Sequence, residues 1–236
     1  MDMATVPHLT KSRIVLTAAI VLREYEESRG YEIKPPIAAD ELIELFLKLN
    51  FEIDDLQHIL GMNDVLGATW IDERRVVIDE RVVANEGRFN FTCAHEVGHW
   101  FLHRPLIELR RRQLSLFDRN QDAPTIVCRK KARRLLGERQ ADLFASCLLM
   151  PERFVREAFQ KAFPKQQRIV LDWGKRNDVN GAQKSHYEAA RWYASRVREA
   201  GNFGNVSNHA MAYRLNGLKL IIYRRDDLGT LQTNLF

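Results

Sequence analysis

The stretch Phe91-Thr-Cys-Ala-His-Glu-Val-Gly-His-Trp-Phe-Leu-His103 constrains this chain more than any other. Within it, His95-Glu96-Val97-Gly98-His99 carries the H-E-x-x-H pattern, whose two imidazoles and one carboxylate are spaced for metal-assisted hydrolysis. Residues four apart on an α-helix lie one above the other, so His95 and His99 present both rings from one face. Their separation, ~6 Å along the axis, lets two ring nitrogens close on one tetrahedral ion. Glu96 lies about 100° round the helix from His95. From there a carboxylate can take a proton from an attacking water without ligating the ion. The plain alternative is a helix with two unrelated histidines.

Such a site needs a third protein ligand, and this helix cannot provide it. His103 continues the same face, but at eight residues from His95 it is ~12 Å away along the axis. No glycine between His99 and His103 allows the chain to turn back. The best remaining candidate is Glu138, in Glu138-Arg-Gln-Ala-Asp142-Leu-Phe-Ala-Ser-Cys-Leu-Leu-Met-Pro151. There Glu138 and Asp142 again stand four apart, so Glu138 would complete the site while Asp142 accepts a ring N–H from one ligand histidine. Otherwise Glu138 is an ordinary solvated first-turn glutamate. Two histidines, a glutamate and an open position describe a catalytic site rather than a structural one.

These segments resemble the ImmA/IrrE metallo-endopeptidases of bacteria and their mobile elements. The resemblance rests on Phe89–Trp100, on Glu138–Pro151 and on Val206-Ser-Asn-His-Ala-Met-Ala-Tyr-Arg-Leu-Asn-Gly-Leu218, and spans roughly residues 65 to 220. It implies zinc on His95, His99 and Glu138, with Glu96 as the catalytic carboxylate; manganese or another divalent ion is also compatible. It further implies a cytoplasmic protease that cleaves helix-turn-helix repressors and releases stress or mobile-element genes. Cys93 departs from the pattern, which usually has an aliphatic residue there.

The 45% apolar and 28% charged composition is that of a soluble globular chain, and 236 residues can bury a real core. The apolar run Ile14–Leu22 follows basic residues but is too short to span a bilayer and is followed by Arg23-Glu-Tyr-Glu-Glu27, so a buried helix is expected and no membrane partner. Cys93, Cys128 and Cys147 lack any C-x-x-C spacing and read as reduced core thiols; a thiol switch at Cys93 or Cys128 is the alternative. Residues 104–139 hold eleven Lys/Arg against four Asp/Glu, either a solvated face or a surface for an acidic partner.

Along the chain, Asp40 is expected to cap a helix with Leu42, Leu45, Phe46 and Leu49 on its apolar face. Phe51–Asp54, Leu66–Ile71 and Arg75–Asp79 read as strands, and Gly67–Ile71 is a candidate edge strand for holding substrate by β-addition. In the long connection from Arg104 to Lys131, Gln113-Leu114-Ser-Leu116-Phe117 resembles a sliding-clamp docking motif, loosely repeated at Gln232–Phe236. Its alternative is that Leu114, Leu116 and Phe117 pin the loop to the core. Pro151 should start a new helix, and Pro164 to Gly181 reads as a polar linker.

The final segment, a Tyr187–Ala200 helix, a glycine turn, a Ser207-capped helix and a Leu218–Tyr223 strand, resembles a helix-turn-helix with one wing. As a DNA reader it would use Asn208, His209 and Arg214; otherwise it packs as an ordinary helical unit.

The expected fold is therefore α+β. A zincin-like core at 12–165 would combine a small sheet, the metal helix and the glutamate helix. A helix-turn-helix-like unit at 166–236 would follow, unless the two pack as one domain. The oxyanion or substrate donor is open among His103, Arg129, His186, Tyr187 and Tyr213. Rival functions are a DNA- or clamp-associated regulator with a structural metal site, and a zinc hydrolase acting on a non-peptide bond.

Overall fold

The computed structural model of the chain describes residues 6–113, 124–129 and 135–224. Its contacts divide it into one unit of Met1–Ile33 with Ala38–Leu149 and another of Lys34–Ile37 with Met150–Phe236.

The first unit begins with α1 (Lys11–Arg29), where Thr10 accepts a hydrogen bond from the Arg13 N–H and Gly30 ends the helix at φ 74°. Ile14, Ala18, Val21 and Leu22 of the apolar run form its buried side. The next helix departs from expectation. Asp40 does not cap it: α2 (Ala39–Glu41) starts after Ala38, and the Ala39 N–H donates to Oδ1 of buried Asn90 at 2.9 Å. After one turn the chain widens into a π-helical stretch, Leu42–Phe46, with the Leu47 N–H on the Leu42 carbonyl. Leu42 and Leu49 of the expected apolar face are buried and Phe46 is half-buried against Tyr25, but Leu45 is 49% exposed and Ile43 is buried instead.

Next come β1 (Asn50–Asp54), the short α3 (Leu56–Leu60), β2 (Val65–Trp70) and β3 (Arg75–Asp79). Then follow α4 (Glu86–Leu102), α5 (Arg104–Gln113), β4 (Ile126–Arg129) and α6 (Leu136–Leu149). The four strands form a sheet in the order β1-β3-β2-β4, with β1 parallel to β3 and β2 antiparallel to both its neighbours. This corrects the substrate-strand expectation. Gly67–Thr69 is paired on both sides and has no free edge to offer, and Trp70 pairs with β3; among the described residues the rim beside it is β4. β2 alternates as a strand must. Ala68 and Trp70 pack with Leu56, Val65 and Val77, with Leu60 and Val127 against them. Gly67 and Thr69 face the other way, onto α4.

The second unit contains α7 (Glu152–Ala162), β5 (Ile169–Asp172), β6 (Arg176–Val179), β7 (Ala182–Ser185), α8 (His186–Ala200), α9 (Asn208–Gly217) and β8 (Ile221–Arg224). Pro151 precedes α7, as its ring allows. Residues 164–181 are not a plain linker. They hold β5 and β6, and Asn180 (φ 53°) with Gly181 (φ 77°) makes the tight turn from β6 to β7. A reciprocal cap between Ser185 and Glu188 starts α8, and Ser207 caps α9.

The winged helix-turn-helix expectation fares poorly in two respects. β8 pairs in parallel with β5 rather than closing a wing hairpin. Arg214, expected to face a groove, is buried and donates from Nε to the Met150 carbonyl at 2.8 Å. Asn208 accepts from Arg198, while His209 remains exposed beside Tyr187 and Tyr213. Among the described residues no helix is long and apolar enough to cross a membrane.

Candidate metal centre

The site is assembled around α4. Asn85 caps this helix by accepting from the Arg88 N–H, and Glu86 in the first turn suits the positive helix end. From Thr92 to Trp100 every residue is buried, because the sheet and α6 cover the helix. The approach of α6 depends on Gly98. A methyl group there would lie 3.1 Å from Phe144 Cδ1 and 3.2 Å from Ala141 Cα. The x-Gly inside the motif thus lets the second helix come close enough to deliver Glu138. The α4 ladder stops at His103, since Pro105 has no N–H to continue it.

Three side chains converge at the crossing. His95 Nε2 and His99 Nε2 are 2.9 Å apart, and the Glu138 oxygens lie 3.3 Å from the first and 3.4 Å from the second. Hydrogen bonds behind the rings fix which nitrogens carry protons. His95 Nδ1 donates to Asp142 Oδ1 at 2.9 Å. His99 Nδ1 meets His103 Nδ1 at 2.8 Å, and His103 Nε2 meets Gln140 Oε1 at 2.9 Å. Gln140 is itself oriented, because its NH₂ donates to the Pro7 carbonyl at 3.0 Å. Its oxygen therefore accepts from His103 Nε2–H, His103 Nδ1 accepts from His99 Nδ1–H, and His99 Nε2 keeps its lone pair. His103 has to be neutral for this relay, and burial, reinforced by neighbouring His99, pushes it down to about 4.

Acceptors consequently face acceptors. Neither Glu138 oxygen has a hydrogen-bond donor, although the side chain is only 1% exposed. Such a cluster requires positive charge in its midst. The least it can take is a proton on His95. Burial opposes that charge, but Cys128, Asp142 and Glu138 outweigh burial and hold His95 well above the ordinary histidine range. Burial likewise opposes ionisation of Glu138, yet His95 and His99 keep it well below the usual carboxylate range. A divalent ion answers the same demand. Ligands ~2.0–2.1 Å from a tetrahedral ion sit about 3.4 Å from one another, which matches the Glu138 separations. The residues fit a metal.

Glu96 stands alongside with 0% exposure. One of its oxygens accepts from Thr69 Oγ1 at 2.7 Å, and the other, Oε1, has no donor. Burial pushes its pKa up against the lowering effect of His99 and His95. Gly67 leaves room for this group, because a Cβ there would lie 2.7 Å from Glu96 Oε1.

The other sequence candidates are placed as follows. His103 is 1% exposed and engaged behind His99, which removes it as an oxyanion donor. Arg129 ends β4, and its side chain lies outside the described residues. His186, Tyr187 and Tyr213 belong to the second unit, where His186 stacks on Trp173 and Tyr187 meets His209. The clamp-like Leu114, Leu116 and Phe117, and the repeat at 232–236, also lie outside the described residues; Gln113 ends α5.

Sequence reasoning did not place Thr69, Gln140 or Cys128 at the site, although Cys128 was offered as a possible thiol switch. The thiol of Cys128 forms a compact group with His95 and Glu138, ligand atoms within 4.8 Å of one another. A period-two reading of 126–129 was the one signal that could have found it.

No curated protein matches the chain. The profile of the peptidase M78 family, described as the IrrE N-terminal-like domain, matches residues 52–179 and so takes in both α4 and α6. With more than half of its length matched, including the helices that carry His95, His99 and Glu138, the chain belongs to the IrrE N-terminal-like family of peptidases.

Proposed function

We propose that this protein is a metal-dependent endopeptidase in which His95, His99 and Glu138 hold one divalent ion, zinc first among the candidates. The observation that carries the reading is the convergence of the two Nε2 atoms and the donorless Glu138 carboxylate, with Glu96 alongside. Bound there, the ion would supply Lewis acidity, polarising a carbonyl and lowering the pKa of water to ~7. The protein does the remainder. Asp142 and the His103–Gln140 relay keep the ring protons on the far side, so both Nε2 atoms stay available. Thr69 aims the Glu96 carboxylate, whose free Oε1 takes a proton from the attacking water and returns it to the leaving amine.

The proposed substrate is a helix-turn-helix transcriptional repressor, as the resemblance to ImmA/IrrE proteins implies, and the setting is stress or mobile-element control. The test is incubation of the purified protein and zinc with a repressor encoded beside its gene. Discrete fragments that vanish with a chelator and return with zinc are expected. An intact repressor, together with inertness toward unstructured peptides, would defeat the proposal.

Gly67→Ala offers a finer check of the Glu96 geometry. The new methyl would displace the carboxylate, and a shift of about 1 Å at a reacting group costs up to about 10²-fold in rate. kcat should fall while zinc content and thermal midpoint change little. Unchanged kcat would mean that the position of Glu96 does not govern the rate.

A further inference from the structure

A buried thiol stands beside the centre. β4 lies antiparallel to β2, with Cys128 opposite Gly67 and Val127 opposite Ala68. Val127 packs on the Leu56–Trp70 side of the sheet, so alternation sends Cys128 to the same side as Gly67 and Thr69, where Glu96 and the histidines are. Its sulfur closes a group with His95 and Glu138 in which every ligand atom is within 4.8 Å of the others. His99 lies 2.9 Å from His95 and 3.4 Å from Glu138 but outside that compact group, so sharing one ion among all four requires the side chains to draw together. Cys128 is 7% exposed and the Glu138 oxygens beside it have no donor. Drawn together on one ion, two imidazoles, a carboxylate and a thiol would complete a tetrahedral set for zinc, and a site with four protein ligands is closed.

We propose that the Cys128 thiolate joins His95, His99 and Glu138 as fourth ligand, so that the centre rests closed and admits water only when Cys128 withdraws. This rests on the metal-centre reading above and adds regulation to it. On binding, the S–H bond breaks, its proton passes to bulk water and the sulfur donates to the ion. Withdrawal is structurally modest: among the described residues β4 is paired only with β2, so moving it disturbs one ladder. A soft thiolate also favours zinc or cobalt over manganese, which a set of nitrogen and oxygen ligands alone does less sharply.

Cobalt(II) tests this directly in the full chain. The wild-type protein should show tetrahedral d–d bands together with a near-ultraviolet thiolate-to-cobalt charge-transfer band. In Cys128→Ser the near-ultraviolet band should be lost while cobalt remains bound, and Cys93→Ser, at a buried thiol outside the cluster, should keep it. Zinc-loaded Cys128→Ser should also hydrolyse peptide faster than wild type, and its preference for zinc over manganese should narrow. Identical near-ultraviolet spectra in wild type and Cys128→Ser would overturn the inference and leave the three-ligand centre standing. Failure of wild type, Cys128→Ser and Cys128→Ala alike to take up cobalt would overturn both.

Discussion

Glu96→Gln should cut hydrolysis by about 10²–10⁴-fold and leave the metal in place. Glutamine has nearly the same shape as glutamate, and its amide oxygen can still accept from Thr69, whose hydroxyl donates to Glu96 at 2.7 Å. What it cannot do is take up a proton. General-base assistance is worth typically 10²–10⁴-fold, so kcat should fall by about that factor with metal stoichiometry at the wild-type value. Because Glu96 is fully buried and carries charge there at a desolvation cost, the neutral amide should not lower the thermal midpoint. The measurements are single-turnover cleavage and metal analysis on the same preparation. Cleavage at the wild-type rate would remove Glu96 from the mechanism.

Glu138→Ala should have the largest effect on metal binding. Losing an outer hydrogen-bond partner of a ligand histidine typically costs 10–100-fold in affinity, and Glu138 is closer to the centre than that. Its oxygens stand 3.3 and 3.4 Å from the two histidine nitrogens and carry the charge that offsets the cation. The clearest readout is thermal. A ligand present at a hundred times its Kd stabilises the native state by about 2.7 kcal/mol. Wild type should therefore show a zinc-dependent rise in thermal midpoint that Glu138→Ala lacks at the same zinc concentration. A wild-type-sized shift in the variant would place the ion elsewhere.

The part of the site set by helix period could be read from the sequence. Spacing of four predicts that His95 and His99 share a face, and likewise Glu138 and Asp142; the structure places all four at one crossing. Such relations are local, and the backbone period alone fixes them. Non-local relations were not readable in this way. Gln140 lies two residues from Glu138, but its engagement of His103 depends on how α6 crosses α4, which Gly98 governs. Cys128 sits on a four-residue strand next to a basic stretch, too short for its alternation to stand out. The π-helical turn at Leu42–Phe46 follows from tertiary packing and has no sequence signature. β8 next to β5 is a pairing across about fifty residues, whereas the helix–turn–helix–strand order suggested a local wing.

β2 serves two masters. Its even-numbered residues Ala68 and Trp70 answer to folding, while Gly67 and Thr69 between them answer to chemistry. A slip of one position against β3 or β4 would exchange the two sets, burying the hydroxyl in the apolar layer and driving indole into the seat of the carboxylate. Strand registration is therefore itself a catalytic variable in this protein, and substitutions that loosen it can silence the enzyme from a distance while its motif stays intact.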